Sequence, residues 1–173
     1  MTPVETFFDG LEHSAISLWV RGDSFFAFPL IISVHTVGMG FVAGISAAIA
    51  LRLLGAASDV PLRPLEKFFP VLWLAFAANF GSGVLLFLGY PYKAASNPLF
   101  YVKLFCIAAG VYFLLRVRAR ALRTVLWPGG ASEPAAVKFL AWMLLFSWMG
   151  AILSGRLLAY TYTWLRVGVP GGF

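Results

Sequence analysis

Long apolar runs separated by short polar connections dominate the pattern of this chain. The runs cover about 25–51, 68–90, 99–115 and 137–160. Each is close to the roughly 20 residues that an α-helix needs to cross the hydrocarbon core of a membrane. Continuous apolar runs of this length do not fit barrel strands, so helices are the remaining way to satisfy the backbone in lipid. The pattern therefore predicts an all-α integral membrane four-helix bundle, forming one domain over residues 1–173.

A shorter helix with a different pattern is predicted before the first run. Between about residues 3 and 20, apolar side chains recur at helical spacing and form one stripe, made of Val4, Phe7, Phe8, Leu11, Ala15, Leu18 and Trp19. At about 100° per residue, His13 projects almost opposite the middle of that stripe. The segment is typical of an interfacial amphipathic helix that lies on the membrane, with His13 facing water.

Composition supports the membrane assignment and narrows the function. The chain has 173 residues, of which 61% are hydrophobic and 12% charged; a soluble domain has about twice that charged fraction. The net charge of +6 does not indicate nucleic acid, because the basic residues cluster at the ends of the apolar runs. We find no His-Glu-x-x-His, P-loop or Cys-x-x-Cys motif. The sequence therefore favours an electron-transfer or accessory subunit over an enzyme that acts alone.

The distribution of basic residues predicts the orientation of the bundle. Many of them lie in two connections, the first between the first and second runs and the other between the third and fourth, or at the adjoining helix ends: Arg52, Arg63, Lys67, Arg116, Arg118, Arg120, Arg123 and Lys138. The positive-inside rule places these connections in the cytoplasm. We therefore expect a multi-pass protein of the bacterial inner membrane with both termini in the periplasm.

One histidine stands in the middle of the first apolar run. His35 lies about ten residues into the run, which is ~15 Å deep at a rise of about 1.5 Å per residue. Lys103 in the third run and Arg156 in the fourth are expected in the same outer half of the bilayer. The four runs contain no carboxylate to neutralise these cations. An ionisable group inside a bilayer indicates a functional site, and buried cations require an anion.

A haem b would meet that requirement. A haem in a helix bundle needs an axial imidazole at mid-depth, small residues against the macrocycle and cations near its propionates. The first run offers His35 with Gly38 and Met39 on the same face. Lys103 and Arg156 are placed where propionates would emerge. These five residues are the predicted cofactor site.

The small number of histidines limits the ligation that this chain can provide. A second imidazole would have to come from His13, which is predicted on a polar helix face. We therefore expect a haem held by His35 alone, by His35 with Met149 or Met143, or by His35 with a ligand from another subunit. His35 and Met39 could instead hold Cu(I), which suits imidazole and thioether ligands. His35 could also make a hydrogen bond between helices without any metal.

These observations favour one function and leave two alternatives open. The favoured function is a cytochrome b-like membrane subunit that holds a haem in the outer half of the bilayer. It would relay electrons between a periplasmic redox partner and a quinone or another membrane subunit. The alternatives are a cofactor-free structural or assembly subunit of a larger membrane complex, and a copper-handling membrane protein. Asn79 and Ser82 could contact a quinone head group, but a hydrogen bond across helices is the favoured interpretation.

Several short motifs resemble those of a known group of proteins. They are Leu11-Glu-His-Ser14, Val34-His-Thr-Val-Gly38, Leu51-Arg-Leu-Leu-Gly55, Phe100-Tyr-Val-Lys103 and Ser154-Gly-Arg-Leu-Leu-Ala-Tyr160. In these motifs the chain is similar to a family of small bacterial four-helix membrane proteins that share a domain of unknown function. It resembles the copper-resistance D membrane proteins more distantly. The resemblance covers nearly the whole chain and implies an interfacial helix followed by four spans.

Overall fold

The computed structural model describes residues 3–56, 60–61, 63–122 and 135–164. Within these ranges the regular structure is helical, which confirms the all-α prediction. The helices are α1 (Pro3–Glu12), α2 (Ala15–Val20), α3 (Phe28–Leu53), α4 (Arg63–Glu66), α5 (Phe69–Gly89), α6 (Pro91–Ala95), α7 (Pro98–Val117) and α8 (Ala135–Trp164), with a π-helical turn at Arg118–Leu122. Helices α3, α5, α7 and α8 are long and apolar enough to cross a membrane. The chain is therefore a multi-pass membrane protein.

The ends of the spanning helices follow from local sequence. Proline occupies the first or second position of α3, α5 and α7, as Pro29, Pro70 and Pro98. Proline is favoured there because its missing N–H would have no partner in the first turn. Asn97 caps α7 by accepting a hydrogen bond from the Leu99 N–H at 3.0 Å. Its side-chain amide also donates to Thr161 at 3.0 Å, so the start of α7 is tied to the end of α8.

The N-terminal segment forms two short helices, where the sequence predicted one. The break falls at Ser14, whose hydroxyl donates to the Leu11 carbonyl at 2.7 Å and accepts from the Ser17 N–H at 3.3 Å. Serine competes in this way with the backbone hydrogen bonds of a continuous helix. His13 is exposed, as predicted. Val20 is fully buried against the bundle, whereas the apolar stripe residues of α2 face away from it.

The four spanning helices are arranged around a shared interior. Helix α3 packs against α5 and α8, and α8 packs against α7. Helices α3 and α7 therefore face each other across the interior. Helices α1, α2 and α6 lie at one end of the bundle, which we call the upper end. Helix α4 and the π-helical turn lie together at the other, lower end.

Large apolar side chains fill the interior unevenly. A continuous core of buried apolar residues occupies the lower half and the middle: Val42, Ile49, Ala50, Leu53, Phe69, Leu72, Leu114, Val117, Val137, Leu140, Ala141, Leu144, Trp148 and Ala151. At the level of His35, nearer the upper end, the buried residues are small or polar, as in Gly38, Asn79, Ser82 and Ser154. The tightly packed core therefore stops below the predicted site.

Candidate functional site

His35 is held against α5 by hydrogen bonds in both directions. Its Nδ1 lies 3.0 Å from the backbone oxygen of Asn79, and the Asn79 side-chain amide donates to the His35 backbone oxygen at 2.6 Å. A carbonyl oxygen can only accept, so the hydrogen-bond network assigns the ring proton to Nδ1 and the lone pair to Nε2. The Asn79 bond confirms the prediction of a hydrogen bond across helices. The ring is thereby fixed in orientation and in tautomer.

Ser82 completes the polar surroundings of the imidazole on the α5 side. Its hydroxyl oxygen lies 3.2 Å from Nδ1 of His35 and accepts from that N–H. The hydroxyl itself donates to the Ala78 carbonyl at 2.7 Å. Such a bond to the preceding turn satisfies the hydroxyl within its own helix. All the polar contacts of Nδ1 therefore come from α5, and Nε2 is turned toward the rest of the bundle.

Two glycines allow α3 and α5 to approach this closely. A Cβ atom added to Gly38 would lie 2.9 Å from the Ala75 backbone oxygen, and one added to Gly83 would lie 3.1 Å from Cε1 of His35. Both distances are shorter than ordinary van der Waals contacts. Gly38 therefore belongs to the α3–α5 contact, where small residues let backbones approach. Gly83 was not identified from the sequence. Its importance comes from the His35 ring that packs over it, and only the structure shows that contact.

Lys103 reaches His35 from the opposite side of the interior. Its Nζ lies 3.4 Å from Nε2 of His35, and an N–H of the lysine can donate to the imidazole lone pair. The aliphatic stem of Lys103 runs beside Gly155 of α8, with Cε 3.6 Å from where a Cβ atom would stand. Both His35 and Lys103 are half-buried. The structure thus joins two residues that the sequence placed only in the same half of the bilayer.

An aromatic pair lies just above this contact. The rings of Phe87 on α5 and Phe100 on α7 stack with centroids 5.4 Å apart and planes inclined by 16°. Phe87 follows Gly83 by four residues, and Phe100 precedes Lys103 by three. Residues at these spacings share a helix face, so the stack covers the interior about one turn above Lys103. The sequence analysis did not single out this pair, because the pairing depends on how α5 and α7 pack.

The other predicted site residues have different surroundings. Met39 is half-buried and packs against the apolar core. Arg156 is exposed, although it adjoins Gly155 in α8. Met149 has 56% of its surface exposed, so its thioether lies on the outer side of α8. Of the predicted haem-binding residues, His35 and Lys103 are the two that face each other.

The hydrogen bond at Nδ1 gives His35 the tautomer that a metal ligand needs, with Nε2 unprotonated. A histidine that ligates a metal almost always donates its other ring N–H to a carbonyl, carboxylate or water, which fixes the ring and raises its basicity. The Asn79 carbonyl holds His35 in this manner. Gly83 also adjoins the imidazole, and Gly155 adjoins the lysine stem. The described residues include no group of three or more His, Cys, Asp or Glu that could hold a metal ion, and Met39, the thioether of the copper alternative, packs against the apolar core.

Comparisons of the chain with protein families, with curated proteins and with solved structures found no match. The family resemblance of the short motifs therefore stays a prediction. The function has to be argued from the chemistry of the site, since a four-helix bundle hosts many functions.

Proposed function

We propose that this protein is a cytochrome b-like subunit of the bacterial inner membrane, with both termini in the periplasm. It holds a haem b through His35 in the upper half of the bundle. It relays electrons between a periplasmic redox partner and a quinone or another membrane subunit. The observation that carries the proposal is the orientation of His35, whose protonated Nδ1 is held by the Asn79 carbonyl while Nε2 faces the interior.

The placement of polar groups in the bundle supports this proposal. A polar or ionisable group among lipid-spanning helices is costly and usually marks a functional site. Here an imidazole and an amine meet in the interior, and none of the four spanning helices contributes a carboxylate. Below them the interior is packed with apolar side chains. Buried hydroxyls such as those of Ser46 and Ser147 lie elsewhere in the interior, but the contact between the imidazole and the amine is at the level of His35.

Each residue has a defined role in this proposal. His35 supplies the ligating nitrogen, and the Asn79 carbonyl keeps the ring in the required tautomer. Ser82 supports the same ring nitrogen. Arg156 is an exposed cation at this level of α8, available to pair with a propionate at the surface of the bundle. The haem itself supplies one-electron chemistry, which the side chains of this bundle do not provide.

An absorption spectrum of the purified protein tests the proposal. The protein should be expressed in cells supplied with a haem precursor and measured oxidised and reduced. We expect a haem spectrum that His35→Ala removes, while the four spans stay inserted because insertion depends on apolar length. His13→Ala is the matched control and should keep the spectrum. A wild-type protein without haem absorption, or a His35→Ala protein with full absorption, would contradict the proposal, as would stoichiometric copper without a haem band.

A cofactor-free structural subunit is the second candidate, and one contact favours it. Nε2 of His35 already has a hydrogen-bonding neighbour in Lys103, and Asn79 joins α3 to α5. The polar residues would then serve to hold the helices together. In that case His35→Ala and Lys103→Ala would lower the stability of the bundle or its association with other subunits, and the wild type would have no visible spectrum to lose.

A further inference from the structure

We propose that an anionic phospholipid binds at the lower end of the bundle, where Arg118 joins α7 to α5. The phosphate group of the lipid pairs with Arg118, and its acyl chains lie on the exposed apolar side chains above, between the two helices. This binding site is separate from His35, so it stands whether or not the protein holds a haem.

Helices α5 and α7 are joined through side chains near both of their ends. Helix α5 packs chiefly on α3 and α7 on α8, and within the described residues α5 and α7 pack little on each other directly. Toward the upper end, the Phe87 ring stacks on that of Phe100. At the lower end, the Arg118 guanidinium lies over the Phe69 ring, 4.5 Å from its centroid. The surface between these two contacts is not closed by helix packing.

Apolar side chains line this surface on both helices. On α5, Phe76 and Phe80 follow Phe69 by seven and eleven residues, so all three share a helix face. The rings of Phe76 and Phe80 stack with centroids 6.4 Å apart, and Phe80 is 64% exposed. On α7, the exposed Leu115 precedes Arg118 by three residues and lies on the same side. An acyl chain can therefore extend along this surface, from Arg118 toward the middle of the membrane.

Arg118 places a positive charge at the lower edge of the apolar surface. Its Nη2 is 3.6 Å from Oε1 of Glu66, which is too long for a good hydrogen bond. Its Nε is buried and has no hydrogen-bond partner in the part of the chain that the structure describes. Lys67, next to Glu66, is exposed and adds a second positive charge. Because arginine binds phosphate through several charge-assisted hydrogen bonds, a phosphate group would use donors that Glu66 leaves incompletely satisfied.

The order of charged and apolar groups along this surface indicates a lipid. The positive charge lies at the end of the spans, and the exposed apolar side chains lie toward the middle of the membrane. A phospholipid has the same order, with its phosphate at the membrane surface and its chains in the hydrocarbon core. Inorganic phosphate would make no use of the apolar side chains, and a quinone offers no negative charge to the arginine. Basic groups between spanning helices are typical sites for anionic lipid head groups.

Native mass spectrometry tests the site through the affinity of the first bound lipid. Delipidated protein in a neutral detergent is titrated with phosphatidylglycerol or with phosphatidylcholine of the same chain length. We expect the wild type to bind phosphatidylglycerol more tightly. Arg118→Gln should weaken that binding about fivefold, the contribution of one basic residue near an anionic membrane surface. Arg21→Gln is the matched control, because it removes one positive charge at the upper end, and it should leave the affinity unchanged.

Three results would overturn the proposal. The first is equal affinity of the wild type for the two lipids. The second is an equal loss in Arg21→Gln and Arg118→Gln, which would show that overall charge acts without a site. The third is displacement of phosphatidylglycerol by inorganic phosphate alone, which would show that the apolar surface contributes nothing.

A fluorescence measurement locates the lipid if Arg118→Gln does not fold. Trp73 follows Phe69 by four residues, and its ring contacts that of Phe76 edge-on with centroids 5.7 Å apart. Brominated phosphatidylglycerol should therefore quench the tryptophan fluorescence of the wild type more than brominated phosphatidylcholine does. Trp73→Phe should remove this difference. A difference that persists in Trp73→Phe would place the lipid elsewhere and overturn the proposal.

Discussion

His35 and Asn79 satisfy each other's hydrogen-bonding groups within the membrane-spanning part of the bundle. The ring N–H of His35 is bonded to the Asn79 backbone oxygen, and the Asn79 side chain to the His35 backbone oxygen. A backbone polar group left unsatisfied in hydrocarbon costs several kcal/mol. Hydrogen bonds between membrane helices nevertheless contribute less than this, because the separated helices find other partners. We therefore expect the pair to stabilise the bundle modestly and to orient the imidazole strongly.

Replacing Asn79 tests the part that its side chain plays. Asn79→Leu removes the bond to the His35 backbone but leaves the carbonyl that accepts from Nδ1. We expect the free energy of unfolding in detergent to fall by about 1 kcal/mol, within the range for such bonds. Ser33→Ala is the control, because the exposed Ser33 hydroxyl bonds within its own helix, to Pro29. A fall as small as that of the control would contradict the interhelical role.

At the scale of helices, glycines decide how closely the spans approach. Gly38 lies against the backbone of α5, whereas Gly40 and Gly44 of the same helix have open space where a Cβ atom would stand. The sequence pattern Gly40-xxx-Gly44 is typical of a packing motif, but these two glycines are turned away from such a contact. The side of α3 that packs is decided by the position of α5.

Alanine substitutions on α3 should separate these glycines. Gly38→Ala places a methyl group 2.9 Å from the Ala75 backbone oxygen, and overpacking of this kind costs about 1–3 kcal/mol. Gly40→Ala should be neutral or stabilising by up to about 1 kcal/mol, because alanine favours the helix. Unfolding by denaturing detergent measures both. Equal effects of the two substitutions would show that α3 packs on another face.

The short helix α2 is attached to the bundle through a small contact. Val20 is fully buried, and its Cγ1 lies 2.8 Å from where a Cβ atom of Gly89 would stand. The Ser17 hydroxyl donates to the Gly89 backbone oxygen at 3.3 Å. Leu18, by contrast, is exposed. The attachment of α2 therefore depends on Ser17 and Val20, which are not part of the predicted stripe.

Truncating one apolar side chain on each face of α2 tests this attachment. Val20→Ala should weaken the docking by about 1.5 kcal/mol, near the lower end of what burial of a valine contributes. Hydrogen exchange should then accelerate over residues 15–20 and at the end of α5. Leu18→Ala should leave exchange at the end of α5 unchanged. The reverse order of effects would mean that the stripe, and not Val20, holds the helix.

At the scale of the whole molecule, charge is distributed unevenly between the two ends. Arg52 lies in the last turn of α3, and the basic π-helical turn follows α7, so both contribute positive charge to the lower end. Arg118 there contacts Glu66 at 3.6 Å and lies over the ring of Phe69 at 4.5 Å. The basic connection that includes Arg123 lies outside the described residues. A lower end in the cytoplasm agrees with the positive-inside rule.

Reporter fusions test this orientation. A reporter that is active only in the cytoplasm should function in the connection between α3 and α5 and in that between α7 and α8, because basic connections are retained there. The same reporter should fail when fused after Phe173. Activity at that position would place the upper end in the cytoplasm. His35 and Lys103 would then lie in the inner half of the bilayer, away from a periplasmic electron donor.

The sequence alone determined the spans. Apolar length governs whether a helix can cross lipid, and this property belongs to each segment separately, without reference to its neighbours. The four predicted runs therefore match α3, α5, α7 and α8 within a few residues. Depth along each span followed in the same way, and for that reason His35 and Lys103 were expected in the same outer half of the bilayer.

Tertiary structure decided which side chains meet at that level. A helix that is apolar all round has no sequence pattern to fix its rotation about its axis. The position of a residue in its span therefore predicts its depth in the membrane but not the direction in which its side chain faces. Met149 was expected as a ligand beside His35 and Lys103 near a propionate, yet Met149 lies on the outer side of α8 and Lys103 reaches Nε2. The Asn79 carbonyl that orients His35 is a backbone atom, which every residue has. Only the packing of α3 against α5 brings it to the imidazole.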